Sequence, residues 1–245
     1  MTAQSDVGSA DLFHPSPGVA ETMAPPYSES ASAITLRERA AAGGLHLLTE
    51  SETLELLLSR SVPRGAQAIA TLLLQRFGSL RAVLGADRPG LARYVDPAVA
   101  VDLQLIFEAA RRLASSELAR RDVISSWSAL LGYLKLTMAH LQREAFRVLF
   151  LDKKNQLIAD EIMGPGTVDH APVYPREVMR RALELGSSAL ILVHNHPSGD
   201  PTPSSADVEM TRRVVAAGAT LGVVVHDHVV VGRDDVASLK HLGLF

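Results

Sequence analysis

The chain of 245 residues has no cysteine, which excludes a disulfide framework, a thiolate metal site and a cysteine nucleophile. Any metal it binds must sit on His, Asp or Glu. It also lacks a charge excess: 24 Lys and Arg against 27 Asp and Glu leave a net charge of −3, so there is no chain-wide electrostatic footprint for nucleic acid. No apolar run approaches the roughly 18 residues of a membrane helix, so no membrane partner is expected. The first 33 residues contain no Lys or Arg, which argues against an export or transit signal and makes the cytoplasm the expected compartment. What is present, 47% hydrophobic and 21% charged residues, is the composition of a globular protein with apolar surface enough for a sizeable core.

Three regions are expected. Residues 1–33 are dominated by Ala, Ser, Pro and Gly without apolar periodicity and read as a disordered tail. Residues 34–122 show helical periodicity throughout, with a capping box at Thr49-Glu50-Ser51-Glu52, a stop at Gly78, and Asp96-Pro97 opening a long amphipathic helix through Leu103, Phe107 and Leu113. A small helical bundle follows from that. From 123 to 245 helices alternate with β-branched strands, so the fold class is α/β in the broad sense (α+β), with a mixed sheet flanked by helices. Within it we expect a helix from Ser128 to about Leu141, strands Phe146–Leu151 and Gln156–Met163 joined by a turn at Asp152–Asn155, and a helix from Pro175 to Gly186. A buried strand Ala189–Val193, a helix from about Ser205 to Ala217 with Gly218 as its left-handed cap, and a β-rich run Leu221–Val231 complete the pattern.

The chemistry concentrates at His194-Asn195-His196-Pro197, which leaves the buried strand, and at Ser204-Ser205-Ala206-Asp207, which opens the next helix. Strand alternation puts His194 and His196 on one face, where two imidazoles can meet one ion, and Asp207 is the natural third ligand. Three protein ligands with the fourth position open describe a catalytic zinc site, in which zinc activates water and polarises a carbonyl. Ser204 can donate its hydroxyl to a developing oxyanion, and the same Ser-x-x-Asp spacing also fits a helix-capping box. A second pair, His226-Asp227-His228, has the same strand spacing and should share a face, but no loop delivers it a third ligand; packed histidines are the simpler expectation. His46 and His140 read as structural.

The pattern His194-x-His196-Pro197-x6-Ser204-x2-Asp207 resembles that of the JAMM (MPN-type) zinc metalloproteases, and the surrounding text resembles the bacterial RadC family. The segments that carry this are "PREVMRRALELGSSALILVHNHPSGDPTPS", "LDKKNQLIADE" and "DHVVVG", and the likeness covers essentially all of 123–245. Residues 36–86 resemble that family's amino-terminal part more weakly. The resemblance implies hydrolysis of a peptide or isopeptide bond in a peptide or protein substrate, with Zn2+ as cofactor. It further implies a general base from a glutamate ahead of the first strand, the position of Glu144, with Glu161 as runner-up in a pair with Asp160 that otherwise reads as solvated.

The family's amino-terminal region usually resembles a DNA-binding helix-hairpin-helix, but the corresponding stretch here, Arg93–Ala100, has no Gly-x-Gly hairpin and sets Asp96 where phosphate would approach. DNA contact would then fall to Arg111, Arg112, Arg120 and Arg121, which equally suit the solvated face of a long helix. Two functions are therefore carried forward: a JAMM-type zinc metallohydrolase, and a DNA-associated repair or recombination protein that uses the same fold as a binding platform.

Overall fold

In a computed structural model the described residues are 31–119, 122–165 and 173–245. Of the tail expected over 1–33, residues 1–30 lie outside them, as do Arg120 and Arg121. The helical region begins earlier than composition indicates, because α1 (Ala31–Gly43) starts inside the segment assigned to the tail and buries Ala33 and Leu36. Helix α2 (Glu50–Ser59) opens with the expected capping box, in which Thr49 Oγ1 accepts from Glu52 N–H and the Glu52 carboxylate accepts from Thr49 N–H. Helix α3 (Ala66–Phe77) stops at Gly78, whose φ of 89° is left-handed. After α4 (Leu80–Leu84) and α5 (Arg88–Leu91), Asp96 caps α6 (Pro97–Ala119) through a 2.9 Å bond from Ala98 N–H. Leu54, Leu58, Ala70, Leu73, Val83, Leu91 and Leu103 form the core of this region. Leu113, which the period assigns to the apolar face of α6, is instead exposed.

The second region holds α7 (Trp127–Met138), β1 (Ala145–Leu151), β2 (Leu157–Pro165), α8 (Pro175–Leu185), β3 (Ala189–Asn195), α9 (Ser205–Leu221), β4 (Val224–Val231) and β5 (Val236–Ser238). The strands lie in the order β2-β1-β3-β4-β5, with β3 and β4 parallel and every other pair antiparallel. One face of the sheet packs Leu149, Ile191, Val193 and Val229 against Leu130, Leu134 and Met138 of α7, together with Leu118 from the end of α6. The other face packs Phe146, Val148, Leu190 and Leu192 against Val178 and Met179 of α8 and Val214 of α9. The architecture is thus α+β, helices first and a flanked mixed sheet second. Among the described residues no helix is long and apolar enough to cross a membrane.

Three departures from the sequence reading position the site. Strand β3 runs past the apolar run to Asn195, so His194 and Asn195 belong to the strand itself, paired with Val230 and Val231 of β4. Helix α9 continues to Leu221 and its left-handed cap is Gly222, φ 70°, rather than Gly218. Gly218 lies inside the helix because a Cβ there would stand 2.4 Å from the Val223 carbonyl oxygen, so its bare backbone lets the chain entering β4 pass close by. Finally, β4 carries a bulge: Leu190 pairs with Val225 and Ile191 with Asp227, leaving His226 as an extra residue. An extra residue breaks strand alternation, so His226 and His228 do not share a face as their spacing alone suggests.

Candidate metal centre

The centre is assembled where β3 ends and α9 begins. His194 is 1% exposed at its side chain and fixed by the sheet, while His196, just past the strand, is 20% exposed and still tied to β4 by a 2.9 Å bond from its N–H to the Val231 carbonyl. The loop that follows turns at Gly199 (φ 94°), whose N–H donates to the His196 carbonyl at 2.9 Å and whose own carbonyl accepts from Arg233 N–H at 3.0 Å. It rests on Gly232, where a Cβ would come within 2.4 Å of the Gly199 carbonyl oxygen. The loop then delivers Ser204 as the N-cap of α9 and Asp207 in its first turn.

This brings the three candidate ligands together. His194 Nε2 lies 2.9 Å from His196 Nε2 and 3.3 Å from Asp207 Oδ1, and His196 Nε2 lies 3.6 Å from Asp207 Oδ2. Those spacings sit around the edge of about 3.3 Å expected for a tetrahedron with bonds of about 2.0–2.1 Å. The chemistry of the donor set points the same way. The Asp200 carbonyl can only accept, so the 2.8 Å contact from His196 Nδ1 places the ring proton there and leaves a lone pair at Nε2. That lone pair faces a second imidazole nitrogen and a carboxylate, a convergence of electron donors that a cation would relieve. His194, His196 and Asp207 can therefore hold a metal ion. Burial works to raise the pKa of Asp207, but in the metal-free protein the hydrogen bonds that protonated His194 and His196 rings give it, with the His194 charge, outweigh burial and carry the carboxyl well below the usual range. His196 is shifted up, chiefly by its hydrogen bond with Asp207, against burial and with help from the Asp200 carbonyl and the Asp207 and Glu144 charges.

Glu144 stands directly ahead of β1 and lines, with Phe146, His194, Asp207 and Tyr174, an open cleft of about 390 Å³ over the centre. Its placement depends on a residue that the sequence reading did not single out. Asn195, buried between the two histidines, accepts from Ala145 N–H through Oδ1 at 2.9 Å and donates through Nδ2 to the Arg143 carbonyl at 3.1 Å, bracketing Glu144 on both sides. Ser204 is occupied as a cap: its hydroxyl donates to Asp207 Oδ2 at 2.7 Å and accepts from Asp207 N–H at 3.2 Å, and it does not line the cleft. Glu161 is engaged elsewhere, gripped by the Arg181 guanidinium at 2.6 and 2.8 Å, and that bond holds its pKa down. Its neighbour Asp160 is not solvated; it is largely buried with Tyr133, which donates to it in a short bond, and Arg147, 2.9 Å away.

The remaining histidines separate. His226 Nε2 meets Asn155 Oδ1 at 2.7 Å in the β1–β2 turn, on the side where Val123 N–H reaches the Asn155 carbonyl. His228 is fully buried at the centre, with Nε2 2.8 Å from His194 Nδ1 and Nδ1 2.5 Å from Thr211 Oγ1; burial pushes its pKa well below the ordinary histidine value. His140 is packed edge-on against Phe107, with centroids 5.1 Å apart, and His46 is exposed in a short turn. Thr211, like Asn195, becomes visible only in the folded chain, and His228, named in the sequence as one of a strand pair, is placed at the centre only once the strands are in register.

Residues 124–244 match the family described as the RadC-like JAB domain. The chain is 52% identical over 211 residues to a UPF0758 protein of Ruegeria pomeroyi, covering 85% of this chain and 94% of that protein. It is likewise 52% identical over 212 residues to a UPF0758 protein of Rhodobacter capsulatus, covering 85% of this chain and 99% of that one.

Proposed function

The chain belongs to the RadC family, and from that premise we propose that it is a zinc-dependent metallohydrolase of JAMM type, cleaving a peptide or isopeptide bond in a peptide or protein substrate. The observation that carries this reading is the convergence of His194, His196 and Asp207, with His194 and Asp207 on the wall of a cleft that also holds Glu144. Zinc bound there supplies Lewis-acid activation of water and of the carbonyl under attack. Glu144 takes the proton from the attacking water and passes it to the departing nitrogen, a role for which its carboxylate must be ionised and held still. Asn195 holds it by fixing the backbone on either side. For Ser204 to serve the oxyanion, its hydroxyl must turn from Asp207 Oδ2, its present acceptor in the cap, toward the cleft that it does not now line.

DNA binding finds less support, since Arg111 and Arg112 are both engaged by one carboxylate, Glu108, at 2.7 Å, which leaves a single net positive charge among the three. The hydrolase reading is tested with Glu144→Gln on a panel of peptide and isopeptide-linked substrates. We expect the variant to keep its zinc, measured by elemental analysis, while turnover falls by roughly 10²–10⁴-fold. A variant that cleaves as fast as the native chain would remove Glu144 from the role of base.

A further inference from the structure

The candidate ligands are joined by a circuit of side chains outside the cleft, and the circuit has a direction because one member can only accept. The carbonyl oxygen of Asp207 lies 2.6 Å from Thr211 Oγ1, so the single hydroxyl proton of Thr211 is given to it. Thr211 then has only lone pairs for His228 Nδ1, 2.5 Å away, and that nitrogen must carry the ring proton. His228 Nε2 is left as an acceptor, and His194 Nδ1, at 2.8 Å, is its donor. With its proton placed there, His194 presents a lone pair at Nε2, the atom that meets His196 and Asp207.

We infer that His228, set by Thr211, is a positioning residue that locks His194 in the Nδ1–H tautomer and aims its Nε2 at a bound metal ion. The inference rests on the metal-centre reading above. Three further observations support it. His228 and Thr211 are both fully buried, so no bulk water competes for their protons. Phe146 packs edge-to-face with the His228 ring, centroids 5.8 Å apart, and limits its rotation. Thr211 lies one helical turn beyond Asp207 on α9, so the helix that delivers the third ligand also fixes the proton of the first. Partners of this kind orient imidazole ligands and raise their basicity toward metal.

The test begins with long-range proton–nitrogen correlation spectra of the metal-free full chain, above the pH range where free histidine titrates. Both His194 and His228 should carry the proton on Nδ1; a proton on His194 Nε2 would overturn the inference. Thr211→Val keeps the volume but offers no lone pair, and it should mix the tautomers of both rings. The same variant should weaken zinc binding, read by competition with a chelator, by about 10–100-fold. Thr211→Ser, which restores the hydroxyl, should restore native affinity. If Thr211→Val binds zinc as tightly as Thr211→Ser, the circuit is packing alone. A native chain that takes up no zinc would sink the hydrolase reading and leave the tautomer lock standing, since the spectra read it without metal.

Discussion

His194-x-His196 and His226-x-His228 have the same spacing and lie at neighbouring parallel strands, yet one pair converges and the other comes apart. In the first, a regular strand holds His194 and a loop braced on β4 brings the His196 ring to within 2.9 Å of it. In the second, one extra residue at the start of β4 turns His226 to Asn155 while His228 enters the centre from behind His194. Spacing therefore states which rings can meet, and backbone regularity decides whether they do. The second pair thus divides into one histidine tied to a turn and one partner of a candidate ligand.

The largest expected contrast between the pairs is in metal content. After adventitious ions are removed, the native chain and His226→Ala should each retain about one zinc and His196→Ala none, all read as zinc per chain. Loss from both variants would erase the distinction between the pairs. A smaller effect separates them in stability: His226→Ala strands Asn155 Oδ1 in a half-buried turn and should cost about 1 kcal/mol in urea unfolding. The smallest is in pH dependence. Burial and the Lys240 charge hold the His226 pKa below the ordinary value of about 6.5. The unfolded chain then binds the proton more readily, so this residue's stabilising contribution is complete above about pH 6.5 and is lost as pH falls through the lowered folded value. Unfolding measured between neutral and mildly acidic pH should accordingly show a shallower slope in His226→Gln than in the native chain. An unchanged slope would mean that some other group carries it.

Much of this was legible in the sequence because it is local. The Thr49 and Ser204 capping boxes, the stop at Gly78 and the strand leading into His194 are each written within a few residues of where they act. The spacing of His194, His196 and Asp207 was legible for the same reason, as one strand end, one short loop and one helix start. The rest depends on register between distant segments. Nothing near His226 marks a bulge, since neither glycine nor proline signals it. That Gly222 rather than Gly218 caps α9 follows from how closely Val223 passes the helix, which no helical pattern encodes. Asn195 reads as a spacer between two histidines until β1 is laid beside β3. His228 reads as a packed strand residue until β4 is laid on the other side, and Thr211 as one more polar position on an amphipathic helix.

The seat of the His196 loop on Gly232 carries one more implication. The Asp200 carbonyl that fixes the His196 proton is held where it is because Gly199 can lie flat against a backbone with no side chain. Position 232 carries no side chain to bind metal or exchange a proton, yet even a methyl group there would meet the Gly199 carbonyl oxygen, lift the loop and loosen the imidazole's orientation. Damage at that glycine would look like a chemical defect while being a mechanical one, in the way that a worn hinge is first noticed at the latch.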